Sequence, residues 1–115
     1  MPALPLKFSD RFHKQVEGIV DFYDRHAGEA VAQSFLEALN IALAAIEENP
    51  NLGTSYTPIL RTPLLSKILF RKLHLTTYSS FPYTIFYHPQ KRQTMVHVIH
   101  HQSINHDALL NYAPR

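Results

Sequence analysis

From Phe81 to Tyr87, and again from Met95 to His101, this chain alternates with the period of a β-strand. In the first run Tyr83, Ile85 and Tyr87 point to one side, and Thr84 and Phe86 to the other. In the second, Val96, Val98 and His100 alternate with Met95, His97, Ile99 and His101. Between them His88-Pro89-Gln90-Lys91-Arg92-Gln93 is polar, and Pro89 removes a ladder donor. Two β-rich runs joined by so short a connection predict an antiparallel hairpin, and the rest of the chain must build around it.

A length of 115 residues fits one domain over 1–115, large enough for a real core. With 45% hydrophobic and 17% charged residues the chain reads as a soluble globular protein rather than a disordered one. Its charge is unevenly placed. Asp10, Glu17, Asp21, Asp24, Glu29, Glu37, Glu47 and Glu48 crowd the first half, and Asp107 is the only carboxylate side chain after them. Arg61, Lys67, Arg71, Lys72, Lys91, Arg92 and Arg115 make the second half a basic lobe, suited to an acidic partner or a phosphate backbone.

The chain has no cysteine, which removes disulfides, thiolate chemistry and cysteine-based zinc sites. Met1 to Phe8 lacks the basic start and long apolar core of a signal peptide. No uninterrupted apolar run is long enough to span a bilayer. A cytoplasmic protein without a membrane segment is the expectation.

Leu4, Leu6 and Phe8 alternate as a short strand. Ser9 or Asp10 caps a helix whose stripe runs through Phe12, Val16, Ile19, Val20 and Tyr23 to about His26. Gly28 ends it by permitting a left-handed backbone conformation. Glu29 opens a second helix with its stripe at Val31, Phe35, Leu39, Ala42, Leu43 and Ile46, stopped at Asn49-Pro50. Asn51 to Ser66 is irregular, and Lys67 to Thr77 reads as a strand that Tyr78-Ser79-Ser80 turns into the hairpin. The order β-α-α-β-β-β predicts an α+β domain, a helical hairpin on an antiparallel sheet. A short helix is expected over His106 to Tyr112.

Arg71 and Lys72 are adjacent in a strand and face opposite sides. Lys72 shares its parity with His74 and is the expected exposed cation; Arg71 is expected to be tied to the helices' acids. The eight histidines include the close group His97, His100, His101 and His106, with His97 and His101 expected on one face of the strand and His100 on the other. They lack paired carboxylates and regular ligand spacing, so no metal site is read from them. Tyr83 and Tyr87 share a face with Ile85, which makes packing their default role.

Taken in order, the helical hairpin broken at Gly28, the Glu48-Asn49-Pro50-Asn51-Leu52-Gly53 turn, the basic Arg71-Lys72 strand, the Phe81-Pro82-Tyr83-Thr84-Ile85-Phe86-Tyr87 strand and the valine-rich strand ending in His100 resemble the RelE/ParE superfamily. These are toxins of bacterial type II toxin–antitoxin modules, including plasmid stabilisation proteins. The resemblance covers roughly Leu4 to His101 and implies growth inhibition, a cognate antitoxin as partner, and no cofactor. ParE-like members poison DNA gyrase by protein–protein contact, whereas RelE-like members are metal-independent endoribonucleases acting on messenger RNA at the ribosome. For a ribonuclease the resemblance would put catalysis on Lys72, Arg92 and His100 or His101. Partner contacts would fall on Lys67, Arg71, Lys72, Tyr87 and Arg92. The family strand that ends in His is commonly followed by an H-x-x-R segment, and here Ser103 stands where that Arg would be. A ribonuclease needs cations on the scissile phosphate, so this departure weighs against the ribonuclease and is neutral between a ParE-like toxin and a degenerate non-toxic member. The long helical hairpin looks more like ParE than RelE, and the ParE-like toxin is the expectation.

Overall fold

A computed structural model describes residues 3–56 and 70–103. Strand β1 (Leu6–Phe8) leads into helix α1 (Asp10–Ala27), which is followed directly by α2 (Glu29–Glu48). The sheet continues with β2 (Thr54–Tyr56), β3 (Phe70–His74), β4 (Tyr83–Pro89) and β5 (Thr94–His101) in the spatial order β1-β5-β4-β3-β2. Two helices on a mostly antiparallel five-stranded sheet make an α+β fold, as the hydrophobic pattern requires.

Local chemistry sets the ends of the helices. Ser9 is extended, and its hydroxyl oxygen accepts from the Phe12 amide at 3.0 Å, satisfying a donor that the first turn leaves open. At Gly28 the backbone takes φ 95°, where a side chain is strained, and its amide donates to the Tyr23 carbonyl at 3.0 Å. One glycine thus closes α1 and opens α2. The core between the layers gathers Phe12, Phe35, Leu39, Ala42 and Ile46 from the helices with Leu73, Leu75, Tyr83, Ile85, Tyr87, Val96 and Ile99 from the sheet side. Twenty residues with a mean hydropathy of 1.3 over its most apolar window would let α2 cross a bilayer by length and composition, a property the unbroken-run criterion missed; here its apolar residues are what the sheet packs against.

Four features depart from the sequence pattern. First, β1 pairs parallel to β5, with Leu6 opposite Thr94 and Phe8 opposite Val96, so the sheet is not wholly antiparallel. Second, β2 forms where irregular chain was expected, pairing antiparallel with β3. Third, Leu75–Thr77 is a 3-10 turn instead of the end of a strand, and β4 starts at Tyr83 rather than Phe81. Ser79 fastens that turn, its amide and hydroxyl both donating to the Leu75 carbonyl at 3.0 Å. Fourth, β5 carries a bulge: Phe86 lies opposite Val98 but Tyr87 lies opposite Val96, leaving His97 as the extra residue. The start of the third predicted strand, Lys67 to Leu69, and the helix expected over His106 to Tyr112 lie outside the described residues.

Candidate functional site

The bulge decides which histidines share a face. Beyond it the alternation shifts by one residue, so Val96 and Ile99 both enter the helix-side core while His97 turns to the opposite face. There the His97 ring meets Phe70 at 5.1 Å and His88 at 6.4 Å, and His100 meets Phe86 at 6.1 Å. The expected pairing of His97 with His101 is therefore corrected: His101 packs against Tyr83 of the core, ring centroids 5.3 Å apart. Burial, reinforced by the neighbouring His88, lowers His97 to about 4, so at neutral pH it is an uncharged ring. Among the described residues no group of three or more His, Asp or Glu side chains is gathered to hold a metal ion.

Arg71 is held by backbone carbonyls rather than by the helices' acids. Its Nη2 donates to the Asn51 carbonyl at 2.7 Å and to that of Gly53, and Nη1 donates to Ser55 Oγ at 3.3 Å. Tyr87 completes the knot: its hydroxyl accepts from the Gly53 amide at 2.8 Å. A Cβ at position 53 would run into the Lys72 carbonyl and sit 2.7 Å from that hydroxyl, so glycine is required for close approach. Burial raises the Tyr87 phenol, although the Gly53 amide and the Arg71 charge pull the other way. Tyr87 is fully buried and has no surface to offer a partner in this fold, and Arg71 has its guanidinium in the turn after α2.

The remaining site candidates are spread along the sheet. Lys72 is half-buried on β3, opposite Phe86 and on the face that carries His74 and His97. Arg92 is exposed in the turn between β4 and β5, where the Gln90 amide donates to the Gln93 carbonyl at 2.7 Å. His100 and His101 lie at the far end of β5, opposite Thr84 and Tyr83. At the rise of an extended strand that is about 20 Å from the turn. Arg92 therefore does not meet His100 or His101 on one phosphate, and His101 packs on the core side of the sheet, away from the face of Lys72. The catalytic grouping drawn from the sequence is thus not gathered as a whole; Lys72 and His100 do share a face. Lys67 lies outside the described residues.

Two arrangements were not legible in the sequence. Ser103 caps His101, its hydroxyl 2.7 Å and its amide 3.1 Å from Nδ1. A ring nitrogen that accepts an amide proton carries none itself, so neutral His101 holds its proton on Nε2. Beside it lies a cavity of about 500 Å³ between α1 and the end of β5, lined by Gln15, Gly18, Ile19, Phe22, Tyr23, Tyr83, Ile99, His100 and His101. Gln15 accepts from the Ile99 amide at 2.9 Å, sealing part of the strand edge that β1 does not reach. Tyr83 is pushed up to about 12 by burial and by its hydrogen bond with Tyr23, so it is a neutral phenol and not a base.

One family model matches most of the chain. The model of the ParE toxin of type II toxin–antitoxin systems (parDE) matches residues 6–105. The chain belongs to the ParE toxin family. Among solved structures it is similar to a chain from the chromosomal ParDE toxin–antitoxin system of P. aeruginosa, with a TM-score of 0.63 and 15% identity, covering 86% of this chain and 96% of that one. At that identity the likeness is one of fold. Comparison with curated protein sequences yields no match. The family match runs from β1 past the end of β5.

Proposed function

We propose that this chain is the toxin of a two-component module, acting in the cytoplasm by protein–protein inhibition of DNA gyrase and silenced by a cognate antitoxin. The ParE family match over residues 6–105 carries the reading. The separation of Arg92 from the two terminal histidines along β5 supports it, because general acid–base chemistry needs its groups within hydrogen-bond reach of one substrate. Inhibition by contact has no such requirement. The exposed Arg92 and the half-buried Lys72 are the cations assigned to the antitoxin's acidic amphipathic segment.

Inducing the chain alone in a bacterial host tests the reading. Filamentation with an SOS response and intact messages is the expected result, relieved by co-expressing the adjacent gene's product. Rapid translation arrest with cleaved messages would assign the chain to the RelE-like ribonucleases. Unaffected growth would mark a member that has lost toxicity.

A further inference from the structure

Two helices lying side by side leave a groove on each face. The inner groove between α1 and α2 is filled by the sheet. Among the described residues the outer one is uncovered: Val16 and Val20 of α1 with Ala32 and Leu36 of α2 floor a groove of about 480 Å³. Both pairs are spaced i, i+4, so the floor is two rows along the hairpin axis rather than an isolated dimple. From Val16 to Asp24 it runs about 12 Å, a little over two helical turns.

The rim of this groove carries one sign of charge. Glu17, Asp21 and Asp24 line it from α1 and Glu29 from α2, all exposed. Glu29 is explained locally, since a carboxylate is favoured in the first turn of a helix. The α1 acids are not. Glu17, Asp21 and Asp24 are spaced i, i+4, i+7, where like charges oppose a helix by about 0.2–0.5 kcal/mol per pair. Asp24 also stands in the last turn, at the end where the helix dipole disfavours an anion. Arg25 bridges Asp21 at 3.2 Å, but both side chains are exposed and the contact is worth little.

We infer that this outer groove of the helical hairpin is a docking site for a cationic amphipathic helix of a partner protein. A helix is the shape that fits, because a third helix packs its ridges into the furrow between two others. Strand addition is ruled out where both walls are helices whose backbone groups are already bonded. Lys or Arg flanking the partner's apolar stripe meets the four carboxylates, while an acidic segment or an anionic lipid surface is repelled. The site is separate from Lys72 and Arg92, so it is a second interaction surface.

A fluorescent helical peptide of about 14 residues, long enough to span the groove, gives the test. It carries leucines on one face and lysines beside them; its counterpart has glutamates in place of the lysines. Anisotropy with the full chain should give the lysine peptide an affinity at least about tenfold tighter than the glutamate peptide. The triple variant Glu17→Gln, Asp21→Asn, Asp24→Asn, confirmed as folded by circular dichroism, should lose about tenfold of that affinity. The control Glu47→Gln, Glu48→Gln at the far end of α2 should bind as the wild type does. Equal binding of the two peptides, no binding, or equal losses in the two variants would each overturn the inference. So would self-association of the wild type that the triple variant abolishes, since the groove would then belong to a second copy.

Discussion

The two helices are nearly the same length, 18 and 20 residues, and lie against each other, yet they do different work. α2 buries Ala32, Phe35, Ala38, Leu39, Ala42 and Ile46, its small residues admitting close approach and its large ones filling the core. α1 fully buries only Phe12. Val16, Ile19, Val20 and Tyr23 are half-buried and Phe22 is exposed, and the helix borders both the cavity beside β5 and the acid-rimmed outer groove. One helix holds the fold and the other presents surface from it.

Substituting the same residue type on each helix is the strongest way to break this comparison. Phe35→Ala on α2 should cost about 3–5 kcal/mol of stability, the range for emptying a buried aromatic site. Phe22→Ala on α1, where the ring is 53% exposed, should stay within about 0.5 kcal/mol. Urea denaturation of both variants checks the pair, and equal losses would remove the distinction.

Acid probes the sheet on which both helices rest. His97 binds its proton near 6.5 when unfolded and near 4 when folded, so between these values the unfolded state holds the extra proton. Stability is therefore complete above about pH 6.5 and falls as the pH drops toward 4, by up to about 3 kcal/mol. Denaturation midpoints measured from pH 7 to 4 should show this slope, and His97→Gln should flatten it.

Smaller effects sharpen the account. Tyr87→Phe should cost about 1–2 kcal/mol, because the Gly53 amide loses its acceptor. Gln15→Ala should cost about 1 kcal/mol and speed hydrogen exchange at Ile99, whose amide that side chain receives. Unchanged exchange there would show that α1 does not guard the strand edge.

Much of this was legible in the sequence, and the failures have a common cause. Both helices, their joint at Gly28 and the β4–β5 hairpin follow from local spacing and capping. The parallel partnership of β1 with β5 joins residues nearly ninety positions apart, and no local pattern encodes it. The bulge at His97 adds one residue to a clean alternation and so reverses the face of every assignment before it, which is why His97 and Val96 were placed on the wrong sides. Leu75 continued the apparent strand because Leu73 and Leu75 alternate, but both are buried across a 3-10 turn that Ser79 stabilises. At the site, Arg71 and Tyr87 were recognisable as notable residues. Their shared contact with the Gly53 turn required the tertiary structure.

The most direct measurement of the central claim is DNA supercoiling by purified gyrase in the presence of the full chain, with total messenger RNA incubated alongside. The account expects supercoiling to fail as the chain approaches the enzyme's concentration, while the RNA stays whole. Undiminished supercoiling at excess chain, with the RNA cut, would contradict it.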